Sequence, residues 1–183
     1  GEKDEVEFLR FRLRQGVYGQ RQPDRQMIRV KIPFGGLTAD QMDVLGEAAD
    51  KYAPLKKGHI TTRENVQYHH VPLEETTDLL RMIGDAGLST REACGNTVRN
   101  VVAAPSAGVS KDEVFDVTPY AAAYARYFLR HPTTQNMPRK SKTAFSGSEK
   151  DEAMVLMHDV GMVARIENGR RGFKIVLGGG LST

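Results

Sequence analysis

The sequence predicts an α+β protein. An antiparallel sheet with helices on one face comes first, and a second lobe mixing strands with a helix follows. Three observations carry this. Up to Leu88 the elements run strand, strand, helix, strand, helix, the order of a sheet covered on one side. The two helical stretches repeat apolar residues every three or four positions, while the strand stretches end at Pro or Gly. After Leu88 the chain turns irregular before a new set of elements begins. The expected units are therefore 1–88 and 89–183.

Taken in order, Glu7–Leu13 alternates loosely and reads as a strand, followed by the turn-prone Gly16–Gln22. Gln26–Ile32 is a better strand, closed by Pro33 and Gly35-Gly36. Thr38 opens a helix as half of a capping box with Gln41, and Met42, Leu45, Ala49 and Tyr52 form its apolar stripe. Pro54–Gly58 is a loop. Ile60–Val71 is extended, as one bent strand or two. Leu73–Ala86 is a second amphipathic helix, ended by Gly87. In the second unit, Asp116–Leu129 is a helix with Pro119 in its first turn. Thr143–Phe145, Gly161–Ile166 and Gly172–Leu177 read as strands, the last two joined through the hairpin signal Asn168-Gly169. Gly178-Gly-Gly180 marks a linker or a close approach of backbone to a flat ligand.

Composition excludes several classes of protein. The 183 residues are 39% hydrophobic and 27% charged, as in an ordinary soluble domain. No apolar run reaches a membrane span, and no signal-peptide core opens the chain. A net charge of +3 gives no indication of nucleic acid. Cys94 is the single cysteine, which excludes an internal disulfide and a self-contained four-cysteine metal or iron–sulfur site. It fits a reducing cytoplasm. The five histidines read as structural, and no residue set within the chain reads as a metal site.

The chemistry is expected from cations. Arg139, Lys140 and Lys142 crowd into four residues just before the strand Thr143–Phe145. As an extension of that strand, the two lysines would share one side, where they repel unless an anion sits between them. Arg29 and Arg99 likewise interrupt apolar runs. Together Arg29, Arg99, Lys140 and Lys142 suit a small oxyanion: they supply charge-assisted hydrogen bonds and protons for a departing oxygen. Thr61, Thr62, Arg63, Asn65 and Gln67 form a dense polar run able to grip carboxylates, or else a solvated edge strand.

These segments, in this order, resemble the sirohaem-dependent sulfite and nitrite reductases. The resemblance rests on Tyr18-Gly-Gln20, Ile28–Pro33 with Gly35-Gly36, Thr61–Gln67, Cys94–Asn100, Met137–Lys142, His158–Gly161 and Gly178–Gly180. It implies a ferredoxin-like half followed by an α/β sirohaem-binding lobe. It also implies that Arg29, Arg99, Lys140 and Lys142 face the substrate, and that Thr61, Thr62, Arg63, Gln67, Asn100 and Arg139 hold the carboxylates of sirohaem. The implied reaction is six-electron reduction of sulfite or nitrite, with Lys142 pointing toward sulfite. Sirohaem and a 4Fe-4S cluster are the implied cofactors, and ferredoxin or a flavoprotein the implied electron donor. The family's cluster cysteines lie in a C-terminal part that has no counterpart here, so the chain reads as the N-terminal portion of a longer enzyme, inactive alone. An exposed sheet edge in such a portion predicts homo-oligomers. The competing expectation is a non-catalytic anion- or tetrapyrrole-binding module, or one partner of a split enzyme.

Overall fold

The computed structural model describes residues 4–178. It contains two four-stranded sheets, one in each lobe. The chain opens with helix α1, Glu5–Arg14, where the sequence suggested a strand. End effects explain the difference. The Asp4 carboxylate accepts from Glu7 N at 2.8 Å, Glu5 and Glu7 occupy the first turn, and Arg12 and Arg14 the last. Each arrangement favours the helix dipole. The helix has no buried residue, so tertiary packing never imposed a period on its sequence.

The first sheet has the order β1-β2-β4-β3, all antiparallel, with β1 at Val17–Gly19, β2 at Arg25–Lys31, β3 at His59–Ile60 and β4 at Asn65–Pro72. The extended stretch from Ile60 is thus two strands, separated by a tight turn over Thr61–Glu64. Helix α2, Ala39–Tyr52, has the complete capping box between Thr38 and Gln41. Helix α3, Thr76–Asp85, starts later than its apolar pattern, because Leu73–Glu75 forms a turn. Both helices pack on one face of the sheet, where Ile28, Val30 and Tyr68 meet Leu45, Ala48, Leu79 and Ile83 in one core. Residues alternate across a strand, so Met27, Arg29 and Lys31 are presented on the opposite face of β2.

The second sheet has the order β5-β6-β7-β8. β5 (Val102–Ala103), β6 (Thr143–Ser146) and β7 (Val160–Glu167) are parallel, and β8 (Arg170–Leu177) returns antiparallel to β7. Asn168 and Gly169 turn that hairpin with φ of 51° and 74°, the two positive values a type I′ turn needs. Helix α4, Thr118–Phe128, lies on this sheet through Val117, Ala121 and Ala125. Tyr120, Tyr124, Phe128 and Leu129 are only half-buried, because the small alanines allow the close approach and the larger side chains flank it. The opposite face carries a smaller core of Val102, Ala144, Ala153, Val155 and Val163. Among the described residues no helix is long and apolar enough to cross a membrane. Gly179 and Gly180 of the glycine run lie outside the described residues.

The lobes meet at the end of β2. Lys31 N donates to Ser89 O at 2.7 Å, and Phe34 N to Val101 O at 2.8 Å. This places the polar face of the first sheet against the irregular segment from Ser89 to Asn100.

Candidate active site

Arg29 stands on the polar face of β2, opposite Gln67 on β4, which in turn is opposite His59 on β3. With its oxygen turned toward the guanidinium, the Gln67 amide accepts from Nε and Nη2 of Arg29, each at 2.7 Å. Arg29 Nη1 donates to Ala93 O at 3.0 Å and lies 3.4 Å from Cys94 Sγ. Arg99 reaches the same carbonyl from the other lobe: its Nη2 donates to Ala93 O at 2.6 Å. One backbone oxygen therefore fastens two guanidiniums. Neither arginine makes a salt bridge among the described residues. Burial, together with the nearby Arg29 and Arg63, pulls Arg99 below the usual guanidinium range.

The lysines arrive beside Arg99. Arg99 N donates to Ser141 O at 2.9 Å and Ser141 N to Thr97 O at 3.1 Å, while Val98 and Ser141 form a parallel bridge. Lys140 and Lys142 thus precede β6 rather than lie within it. Arg139 and Lys140 are exposed and Lys142 is half-buried. Lys142 is anchored through its N–H, which donates to Asp159 Oδ2 at 2.7 Å. Burial first, then Arg63 and Lys140, lowers the Lys142 ammonium from its ordinary value. A cleft of about 350 Å³ brings together Arg29, Arg99, Lys140, Cys94, Tyr18 and Met27.

The polar run around Arg63 divides into a turn and its supports. Thr61 Oγ1 accepts from Arg63 N at 3.3 Å and Asn65 N at 3.2 Å, and Thr62 is exposed. Arg63 Nη2 meets His158 Nε2 at 3.0 Å, and His158 Nδ1 meets Met154 O at 2.8 Å. With Nδ1 donating to that carbonyl, Nε2 is left to accept from the arginine. Asn100 is fully buried. Its Nδ2 donates to the carbonyls of Ile32, Arg63 and Glu64 at 2.7, 2.9 and 3.3 Å. Asn100 therefore holds the turn that carries Arg63. Burial raises Glu64, in the same turn, to about 7.

The structure brings Arg29, Arg99 and Lys140 to one cleft with Gln67 bound to Arg29, sets Lys142 outside that lining and within the influence of Arg63, and leaves Arg139 and Thr62 exposed. Sequence reasoning gave Cys94 no place in the site, yet it is buried and touches Arg29. It also passed over His158, which orients Arg63, and the buried pair Lys31–Glu92, whose Nζ and Oε2 are 3.8 Å apart behind Arg99. His158 and Asp159 stood within a quoted motif and carried that signal. Glu92 carried none. Among the described residues, no group of three or more His, Cys, Asp or Glu is placed to hold a metal ion.

The family model of the nitrite/sulfite reductase ferredoxin-like half domain matches residues 18–86. That of the nitrite and sulphite reductase 4Fe-4S domain matches residues 94–183. A sulfite reductase [ferredoxin] of Mycobacterium tuberculosis is 37% identical over 162 residues, covering 86% of this chain and 28% of the relative. A ferredoxin–nitrite reductase of Leptolyngbya laminosa is 31% identical over 157 residues, covering 84% of this chain and 31% of the relative. The chain thus spans under a third of the length of these relatives. The solved structure of the NirA protein of Mycobacterium tuberculosis superposes with a TM-score of 0.87 at 33% identity, covering 98% of this chain and 36% of that one. A dissimilatory sulfite reductase I structure shares the fold at a TM-score of 0.64 and 10% identity, over 79% of this chain and 34% of that one. The chain belongs to the sirohaem-dependent nitrite and sulfite reductase family, carrying its ferredoxin-like half domain joined to residues of its 4Fe-4S domain.

Proposed function

We propose that this chain supplies the substrate cations and part of the tetrapyrrole cradle of a reductase that converts sulfite to sulfide, or nitrite to ammonia, by six electrons. The observation that carries the reading is the cleft lined by Arg29, Arg99 and Lys140, with Lys142 near enough to feel Arg63, Lys140 and Arg99, and with both guanidiniums hung on Ala93 O and, among the described residues, free of carboxylate partners. Sulfite is the favoured substrate, on the identity of Lys142. Sirohaem, when bound, supplies electrons to the anion held against these cations. Arg29 and Arg99 offset the anion's charge and fix its orientation. Lys142, with its ammonium lowered, lies closer to the range of an effective proton donor. In this reading it and Lys140 protonate the oxygens that leave as water.

The donor set fits a polycarboxylate macrocycle. Arg63 Nη1 and Arg99 Nε are buried without a hydrogen-bond partner, a costly arrangement unless a ligand oxygen completes it. Arg63, Gln67, Thr61, Thr62 and Arg139 are the groups to hold its carboxylates, with Asn100 keeping Arg63 in place. The chain does not fit a 4Fe-4S cluster, because Cys94 is its single cysteine and lies against Arg29. Cluster ligands must come from outside this sequence. The unpaired Cys94 supports a cytoplasmic setting, and the names of the ferredoxin-dependent relatives support ferredoxin as donor.

The test is reconstitution with sirohaem, monitored for a Soret band, alongside sulfite titration of the wild type and of Lys140→Ala. A Soret band with sulfite binding weakened by Lys140→Ala is the expected result. Sulfite binding that ignores Lys140 removes the anion-pocket assignment. Anion binding without any tetrapyrrole uptake favours a non-catalytic oxyanion module.

A further inference from the structure

A second cleft, of about 440 Å³, lies beside the first and has no role in the account above. It is bounded on one side by α1 and on the other by residues 135–138. Leu13, Gly95 and Asn96 line both clefts, so the two are contiguous. Arg10 and Arg14 line the outer one from α1. Spaced by four residues, they project from one face of the helix. Neither makes a salt bridge among the described residues. The facing wall offers the amides of Asn96 and Asn136, whereas Gln135 Nε2 already donates to Glu92 Oε1 and His131 O at 2.7 and 3.2 Å, and among the described residues no carboxylate lines the cleft. Glu92 lies beyond Gln135, fully buried, and its Oε1 already accepts from Arg130 N and Gln135 Nε2 at 2.7 Å each. Asn96 is itself held in place, with side-chain Nδ2 donating to Pro138 O at 3.3 Å and its backbone carbonyl accepting from Met137 N at 2.9 Å.

We propose that this outer cleft is a second oxyanion site, an anteroom that loads small inorganic oxyanions and delivers them past Gly95 and Asn96 to Arg29, Arg99 and Lys140. The proposal rests on the reading of the inner cleft given above. Two cations and neutral amide donors match an oxyanion of one or two charges. Cations arranged in series along one path raise the local concentration of such an anion and speed its capture.

The experiment titrates the full chain with sulfate, a probe that is not consumed, by calorimetry and by backbone amide NMR. Wild type is expected to bind in two phases, with the amides of Asn96, Gln135 and Asn136 shifting in one and those of Cys94 and Arg99 in the other. The double variant Arg10→Gln, Arg14→Gln should weaken the first phase about tenfold or more, the scale of losing charged hydrogen bonds, and keep the second. Lys140→Ala should do the reverse. Because α1 buries no residue, the double variant keeps its fold, which an unchanged unfolding temperature verifies. A double variant that binds as wild type does, or a wild type in which Gln135 and Asn136 never shift, overturns the outer site and leaves the inner one standing. A wild type that binds no sulfate overturns both.

Discussion

Replacing Asn100 by Asp tests how the site is held, because the change preserves shape and inverts chemistry. The Asn100 amide donates to three backbone carbonyls at 2.7, 2.9 and 3.3 Å, from Ile32, Arg63 and Glu64. A carboxylate there would present oxygen to oxygen at every contact, in a position with no exposure to water. Each buried carbonyl left without its donor costs about 1–3 kcal/mol. The third contact is long and shares a hydrogen, so two carbonyls carry most of the loss and the total is about 2–6 kcal/mol. The new carboxyl should take up a proton rather than stay charged among carbonyls, raising its folded pKa above its unfolded value. A raised acid contributes stability that is present below its unfolded pKa and lost as pH rises through the folded one. The deficit of Asn100→Asp against wild type should therefore be largest at pH 7 and above, and shrink toward pH 4. Urea denaturation across that range, with Asn100→Ala as the control whose deficit is flat, measures it. A deficit below about 0.5 kcal/mol at pH 7, or one that does not change with pH, would refute the reasoning.

Other expectations follow from neighbouring geometry. Burial outweighs the pull of Glu92 and brings Lys31 down to about 8. A lysine lowered on folding contributes stability that is present above its unfolded value near 10.5 and lost as pH falls through about 8. Wild type should thus gain on Lys31→Met between pH 8 and 10.5, by about 3 kcal/mol at most, in paired denaturation curves. Gly16 has φ of 81°, and a Cβ there would fall 2.1 Å from Thr90 O. Gly16→Ala should cost more than about 2 kcal/mol through strain and clash, seen as a lowered unfolding temperature. Arg29→Lys keeps the charge but loses the fork on Gln67 and Ala93 O, so sulfite titration should show about tenfold weaker binding. Among the described residues β8 leaves one edge of its sheet unpaired, and it exposes Ile175 and Leu177. Light scattering should show association at high concentration that Ile175→Lys suppresses.

Much of the fold was legible where local signals were decisive. Thr38 with Gln41, and Asn168 with Gly169, each specify backbone geometry within a few residues, and both formed as read. Glu7–Leu13 misled because its alternating apolar residues stay exposed: its helix depends on Asp4 and on charges at its ends, which a period-two reading ignores. The site divided in the same way. The cations were visible because cationic side chains inside apolar runs are unusual. Their supports were not, since His158 lies 95 residues from Arg63 and Asn100 lies 68 from Ile32. Those pairings arise only when the second lobe folds against the first.

The shared acceptor at Ala93 O carries a thermodynamic consequence. Two guanidiniums meeting on one uncharged oxygen repel each other, and the fold must supply the work of holding them there. An oxyanion that enters between them removes part of that cost, so ligand affinity and folding stability become two views of one equilibrium. Sulfate at a hundred times its dissociation constant would then raise the unfolding free energy by about 2.7 kcal/mol. On the proposed function, an anion bound there would be as much a structural component of the junction between the lobes as a ligand of it.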